Sequence, residues 1–147
     1  MKQINKVGVT GTRYGMNDSQ IKNAVVHLKL FKNTDVELHH GDCIGVDKQI
    51  AKIAKYFNYK IICHPPLKRE YRAFTSYDEI KKEFSHFQRN RNIVNDSDII
   101  LVIPLQNNHQ NNGGTWYTFD YALKIKKPII LLTPDGNVKE FNNDFLL

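Results

Sequence analysis

The stretch DIILVIP, Asp98 to Pro104, sets five consecutive aliphatic residues between an acid and a proline. A run this short, apolar without alternation, fits a strand buried on both faces, as in a parallel sheet covered by helices on both sides. PIILLTP, Pro128 to Pro134, repeats the pattern. Thr115 to Lys126 between them carries helical periodicity, so the C-terminal half reads as strand, crossover helix, parallel strand.

The same alternation extends toward the N-terminus. Lys6 to Thr10 is β-rich and ends at Gly11. An Asn17 cap with Gln20 three residues on opens a helix that spaces Ile21, Val25 and Leu28 along one face. Val36 to His39 reads as a strand, and Val46 to Phe57 as a helix with Val46, Ile50, Ile53, Ala54 and Phe57 inward. Tyr59 to Cys63 is a third strand, stopped by Pro65-Pro66. A Ser76-x-x-Glu79 capping box predicts a further helix from Ser76 to about Asn95, carrying Ile80, Phe84, Phe87, Ile93 and Val94.

Five strands alternating with four helices predict one α/β domain spanning residues 1–147, with its core over about 5–134. The sheet is expected to be doubly wound and mostly parallel, with five strands in the order 3-2-1-4-5 and helices on both faces. In that order the connections diverge between strands 1 and 4, and ligands bind at the carboxyl ends of the strands beside such a divergence. GTRYG (11–15) and PLQNNHQNNGG (104–114) are the loops there, and HHGDCIGVD (39–47) forms a third wall. A connection as long and amide-rich as PLQNNHQNNGG is commonly functional.

The 147 residues hold 21 basic and 15 acidic side chains, a formal charge of +6, which favours an anionic partner without the dense basic runs of a nucleic-acid arm. Two cysteines, Cys43 and Cys63, are too few for a disulfide framework, and no N-terminal stretch reads as a signal peptide or membrane span. A reducing cytoplasm and no membrane are the expectations.

Gly11, Gly41, Gly45, Gly113 and Gly114 fall at predicted strand-to-helix turns, where backbone N–H groups can approach an anion. The helices opening near Gly45 and Thr115 add the positive ends of their dipoles. Arg13, Arg89 and Arg91 are candidate phosphate contacts, each also readable as solvated surface. Asp42 and Asp47 would repel phosphate, so ribose hydroxyls are their functional reading and helix-dipole complementation the alternative. Trp116, Tyr117 and Tyr14 either stack on a base or pack in the core.

His39, His40, Cys43, Cys63 and His64 include zinc-ligand types, but adjacent histidines on a strand point to opposite faces and no C-x-x-C pair occurs. No metal, catalytic residue or resident cofactor is assigned.

VGVTGTR, HHGDCIGVD, HPP, QRNRNIV before DIILVIP, and GGTWYTFDYALKIKKPIILLTP, in that order, resemble the SLOG superfamily of Rossmann-like proteins. It includes the YspA/YpsA families, the nucleotide-binding domain of DprA and the LOG phosphoribohydrolases. The likeness spans about Val7 to Pro134. It implies a nucleotide-derived ligand, with a signalling nucleotide sensed or sequestered in bacterial or phage conflict as one such role. It places Gly11, Thr12, Arg13, Gly41, Asp42, Gly45, Asp47, Arg89, Asn90, Arg91, Gly113, Gly114 and Thr115 at the ligand, and Pro104 and Trp116 at the adjoining strand and helix ends complete the candidate ligand-binding residues. LOG enzymes carry a glutamate three residues after their Gly-Thr pair, where this chain has Thr118. N-glycoside hydrolysis or transfer, the alternative, would therefore depend on Glu70, Asp120 or Asp42. DprA-like single-stranded nucleic-acid binding is the second alternative. Homo-oligomers are expected from the superfamily and from the apolar end Phe145-Leu146-Leu147.

Overall fold

A computed structural model describes residues 3–143. Their elements run β1 (Lys6–Gly11), α1 (Asp18–Phe31), β2 (Glu37–His40), α2 (Val46–Tyr56), β3 (Lys60–Cys63), a 3-10 turn (Arg69–Tyr71), β4 (Glu79–Ile80), α3 (His86–Asp96), β5 (Ile99–Ile103), α4 (Gly114–Lys124), β6 (Ile129–Leu132) and β7 (Val138–Phe141). The sheet has seven strands in the order β4-β3-β2-β1-β5-β6-β7. All neighbours pair in parallel except β6 with β7. The fold is thus α/β with a mostly parallel sheet, but its strand count and full order differ from the five-strand expectation.

Both added strands lie at edges. The helix expected from Ser76 begins only at His86, and Glu79–Ile80 instead pairs with Ile62–Cys63. Asp78 explains this: its carboxylate accepts from the Ile61 N–H at 2.8 Å and its own N–H donates to the Ile61 carbonyl at 2.9 Å. These bonds satisfy the open edge of β3, which a helix at this position would leave unpaired. Ile80 and Phe84 remain exposed, so the segment has no buried stripe to hold a helix. At the other edge, Thr133 to Asn137 turns the chain back and Val138–Phe141 pairs antiparallel with β6. The ordered sheet therefore extends past Pro134, while Phe145-Leu146-Leu147 lies outside the described residues.

The aliphatic runs sort their side chains between two cores. Ile99, Leu101 and Ile103 of β5, with Ile130 and Leu132 of β6, pack beside Ala24 and Leu28 of α1 and Val46, Ile50 and Ala54 of α2. Ile100, Val102, Ile129 and Leu131 pack on the opposite face with Val94 of α3 and Trp116, Phe119 and Ala122 of α4. This two-sided burial is what the uninterrupted apolar runs encode.

The capping box at Asn17 and Gln20 forms as the spacing requires. Gln20 is itself buried, and its amide donates to the carbonyls of Pro104 and Leu132 at 2.8 and 3.0 Å, tying the start of α1 to the carboxyl ends of β5 and β6. No helix among the described residues is long and apolar enough to cross a membrane.

Candidate functional site

A cleft of about 710 Å³ opens at the carboxyl ends of β1 and β5, between their diverging connections. Three chain turns and the start of α3 line it, together with Glu70 and Tyr71 from the connector between β3 and α3.

The first turn, Gly11 to Arg13, rests on the start of α2. The Val46 N–H donates to the Thr12 carbonyl at 3.0 Å, and a Cβ on Gly11 would meet the Val46 side chain at 2.4 Å. Gly45, with φ of +86°, lies under the same turn. A Cβ there would fall 2.4 Å from the Arg13 carbonyl, so Gly45 serves a close backbone approach and does not itself face the cleft. Arg13 projects into the cleft from this platform, is exposed, and its side chain makes no hydrogen bond or ion pair among the described residues.

Gly113, Gly114, Thr115 and Trp116 line the opposite wall, where α4 begins. Gly113 has φ of +89° and no side-chain oxygen caps the helix, so the first-turn amides of α4 are left for another acceptor. Nothing lies within 4 Å of the position a Gly113 Cβ would take. Trp116 is buried, its indole N–H donating to Gln106 at 3.0 Å and its ring packing on Phe119, so it is chiefly a core residue with one edge on the cleft.

Arg89 and Asn90 also line the cleft, but the Arg89 guanidinium is engaged by the protein. It donates to the Gly41 carbonyl at 2.6 Å, the His64 carbonyl at 3.3 Å and Asn90 Oδ1 at 2.8 Å, and it is 3% exposed. Its work is to join α3 to the ends of β2 and β3. Burial, then the charges of Arg89 and Arg13, lower the pKa of the neighbouring His86 from its ordinary value.

The two aspartates expected on ribose part company. Asp42 is fully buried and absent from the cleft wall. It has φ of +56°, and its carboxylate accepts from Arg72 Nε at 2.7 Å and from the Thr75 N–H at 2.9 Å. Both oxygens hold the connector. Asp47 does line the cleft, yet one of its oxygens accepts from the N–H groups of Gly41 and Cys43 at 3.0 and 3.3 Å. Burial raises its pKa to about 6 against the opposing pull of Arg89. Burial likewise pushes the Cys43 thiol up to about 11, which removes it as a nucleophile at neutral pH.

Ten of the fifteen expected residues therefore share one cleft, and Gly41, Asp42, Gly45, Arg91 and Pro104 lie outside its lining. Arg91 donates to the Tyr117 hydroxyl and Gln88, and the Pro104 carbonyl accepts from Gln20. Of the carboxylates considered for hydrolysis, Glu70 alone reaches the cleft. Asp120 pairs with His109 at 2.7 Å away from it, and Thr118 is buried with its hydroxyl donating to the Gly114 carbonyl. His86 and Phe87 escaped sequence reasoning as cleft residues because they fall in the segment read as one continuous helix from Ser76, and Tyr71 lies in the connector ahead of it, to which no site role was given.

No protein-family model matches the chain, and no curated protein does. Solved structures do. A molybdenum cofactor binding protein from Rippkaea orientalis superposes with a TM-score of 0.69 at 24% identity, covering 88% of this chain and 76% of its own. The molybdenum cofactor carrier protein of Chlamydomonas reinhardtii gives 0.63 at 24% identity over 90% and 79%. DNA processing protein A of Helicobacter pylori, a single-stranded DNA binder, gives 0.61 at 20% over 86% and 64%. These superpositions show that the chain shares the α/β fold of these proteins.

Proposed function

We propose that this protein binds a nucleotide or nucleotide-derived phosphorylated small molecule in the cleft, and holds it without turnover. The reading rests on one observation: an uncapped helix N-terminus and an uncommitted arginine line the same cavity. A helix N-terminus is worth about 0.3–2 kcal/mol toward a phosphate. A charged hydrogen bond from Arg13 adds about 1.5–3 kcal/mol. Together these supply about 2–5 of the ~8 kcal/mol of a micromolar complex, the remainder falling to apolar contact with Tyr14, Ile44 and Phe87, which also line the cleft. A volume of about 710 Å³ suits a ligand of nucleotide size. Neighbours named for holding a cofactor and for binding single-stranded DNA support ligand binding in this fold.

Glu70 favours a second reading, cleavage of an N-glycosidic bond, because it is an exposed carboxylate on the same wall. Native mass spectrometry and calorimetry against a nucleotide panel, followed by chromatography of the recovered ligand, separate the two. Intact ligand after prolonged incubation supports binding alone, and free base that disappears in Glu70→Gln supports hydrolysis. Arg13→Gln should weaken the best ligand about 10- to 100-fold with no loss of stability. Equal binding by Arg13→Gln, or no binding by the parent protein, would overturn the site.

A further inference from the structure

A second cluster of ligating side chains lies away from the cleft, where β2, the end of β3 and the end of α3 meet. His39 Nδ1 is 2.8 Å from His64 Nε2, and Asp96 Oδ2 is 3.9 Å from the same nitrogen. All three ligand atoms fall within 4.8 Å of one another. The histidines are each 3% exposed, whereas the Asp96 side chain is 46% exposed and marks a route from solvent.

Glu37 decides the state of the inner histidine. Its carboxylate lies 2.9 Å from His39 Nε2. An ionised carboxylate only accepts hydrogen bonds, so the proton sits on Nε2 and the Nδ1 lone pair faces His64. A carboxylate behind an imidazole is the arrangement that orients metal-binding histidines and raises their basicity.

We propose that His39 Nδ1, His64 Nε2 and the Asp96 carboxylate bind one divalent transition-metal ion of the zinc class, with the remaining position left to water. Two imidazoles and one carboxylate suit Zn²⁺ or Co²⁺, whereas Ca²⁺ and Mg²⁺ take oxygen ligands throughout. Two nitrogens each ~2.0–2.1 Å from a tetrahedral zinc stand about 3.3 Å apart, so the rings part by roughly half an ångström on binding. On binding, neutral His64 changes tautomer: solvent takes the Nε2 proton that bridges the two rings without metal and returns one to Nδ1, and the ion takes the bridging place. His39 and His64 were set aside as zinc ligands in the sequence for want of a spacing motif, and they come together only through the parallel pairing of β2 with β3. None of the three ligands lines the cleft, so the ion braces the sheet against α3 and contacts no cleft ligand.

The test is titration of the chelator-stripped full chain with Co²⁺ alone, followed by visible absorption and calorimetry, with Zn²⁺ as competitor. The expected result is one ion per chain, d–d bands of nitrogen and oxygen ligation, and displacement by Zn²⁺. Asp96→Asn, at an exposed position, should weaken binding tenfold or more, and His64→Gln should abolish it. Should His64→Gln fail to fold, the spectrum and the Asp96→Asn titration decide the matter. Lack of saturable uptake below millimolar Co²⁺, a thiolate charge-transfer band placing the ion on Cys43 or Cys63, or unchanged affinity in folded Asp96→Asn would each overturn the site.

Discussion

Replacing Asp42 with asparagine removes one charge from the centre of the structure while leaving the backbone undisturbed. Asn tolerates the φ of +56° that Asp42 adopts, and its side-chain oxygen can still accept from the Thr75 N–H. What is lost is the ion pair to Arg72, whose side chain is 12% exposed against 0% for Asp42. Removing one partner of a buried pair costs about 3–5 kcal/mol. Arg72 keeps some contact with water, so the lower end, about 3 kcal/mol, is expected. At about 2–4 °C per kcal/mol for a chain of this size, the melting temperature should fall by roughly 6–12 °C. Hydrogen exchange should quicken first at Ala73 and Thr75, whose N–H groups both bond to Asp42. Thermal melts and amide exchange on the ligand-free protein provide the measurement. A variant that melts within about 1 °C of the parent but loses tenfold or more in nucleotide affinity would refute this account and return Asp42 to the ribose.

Other substitutions probe the same frame. Gly45→Ala drives a Cβ to 2.4 Å from the Arg13 carbonyl at a φ of +86°, and should cost about 3 kcal/mol or more in urea denaturation. Gly113→Ala meets no atom within 4 Å, so its strain of about 1–3 kcal/mol should appear mainly as a tilted α4 start and a tenfold or greater loss of nucleotide affinity by calorimetry. Asp47 has a pKa raised to about 6 in the folded protein from 3.8, so the folded state binds more protons than the unfolded one between those values. Its contribution to stability therefore falls as pH rises through that window. Asp47→Asn should thus gain on the parent protein by about 2–3 kcal/mol between pH 4 and pH 7, read as the difference of two urea titrations, and a flat difference would contradict the burial argument.

The central architecture was legible because its signals are local. Runs such as Ile99–Ile103 declare burial on both faces, and glycines at the strand ends mark where backbone must come close. The edges were not. A two-residue strand at Glu79–Ile80 carries no periodicity, Ser76-x-x-Glu79 imitates a helix start, and three of the four residues of Val138–Phe141 are exposed, which hides them from hydrophobic patterning. Within the cleft, turn glycines and Arg13 could be placed from spacing alone. The tasks of Asp42 and Arg89 could not, since their partners lie thirty and forty-eight residues away and are met only after the sheet has formed.

The connector between β3 and α3 is fastened by main-chain bonds and one buried ion pair, while Leu67, Tyr71, Phe74 and Tyr77 stay exposed. Its outward positions can consequently accept replacement without disturbing either apolar core. Chains sharing the same sheet are thereby free to differ along this strap while the glycine turns of the cleft stay fixed.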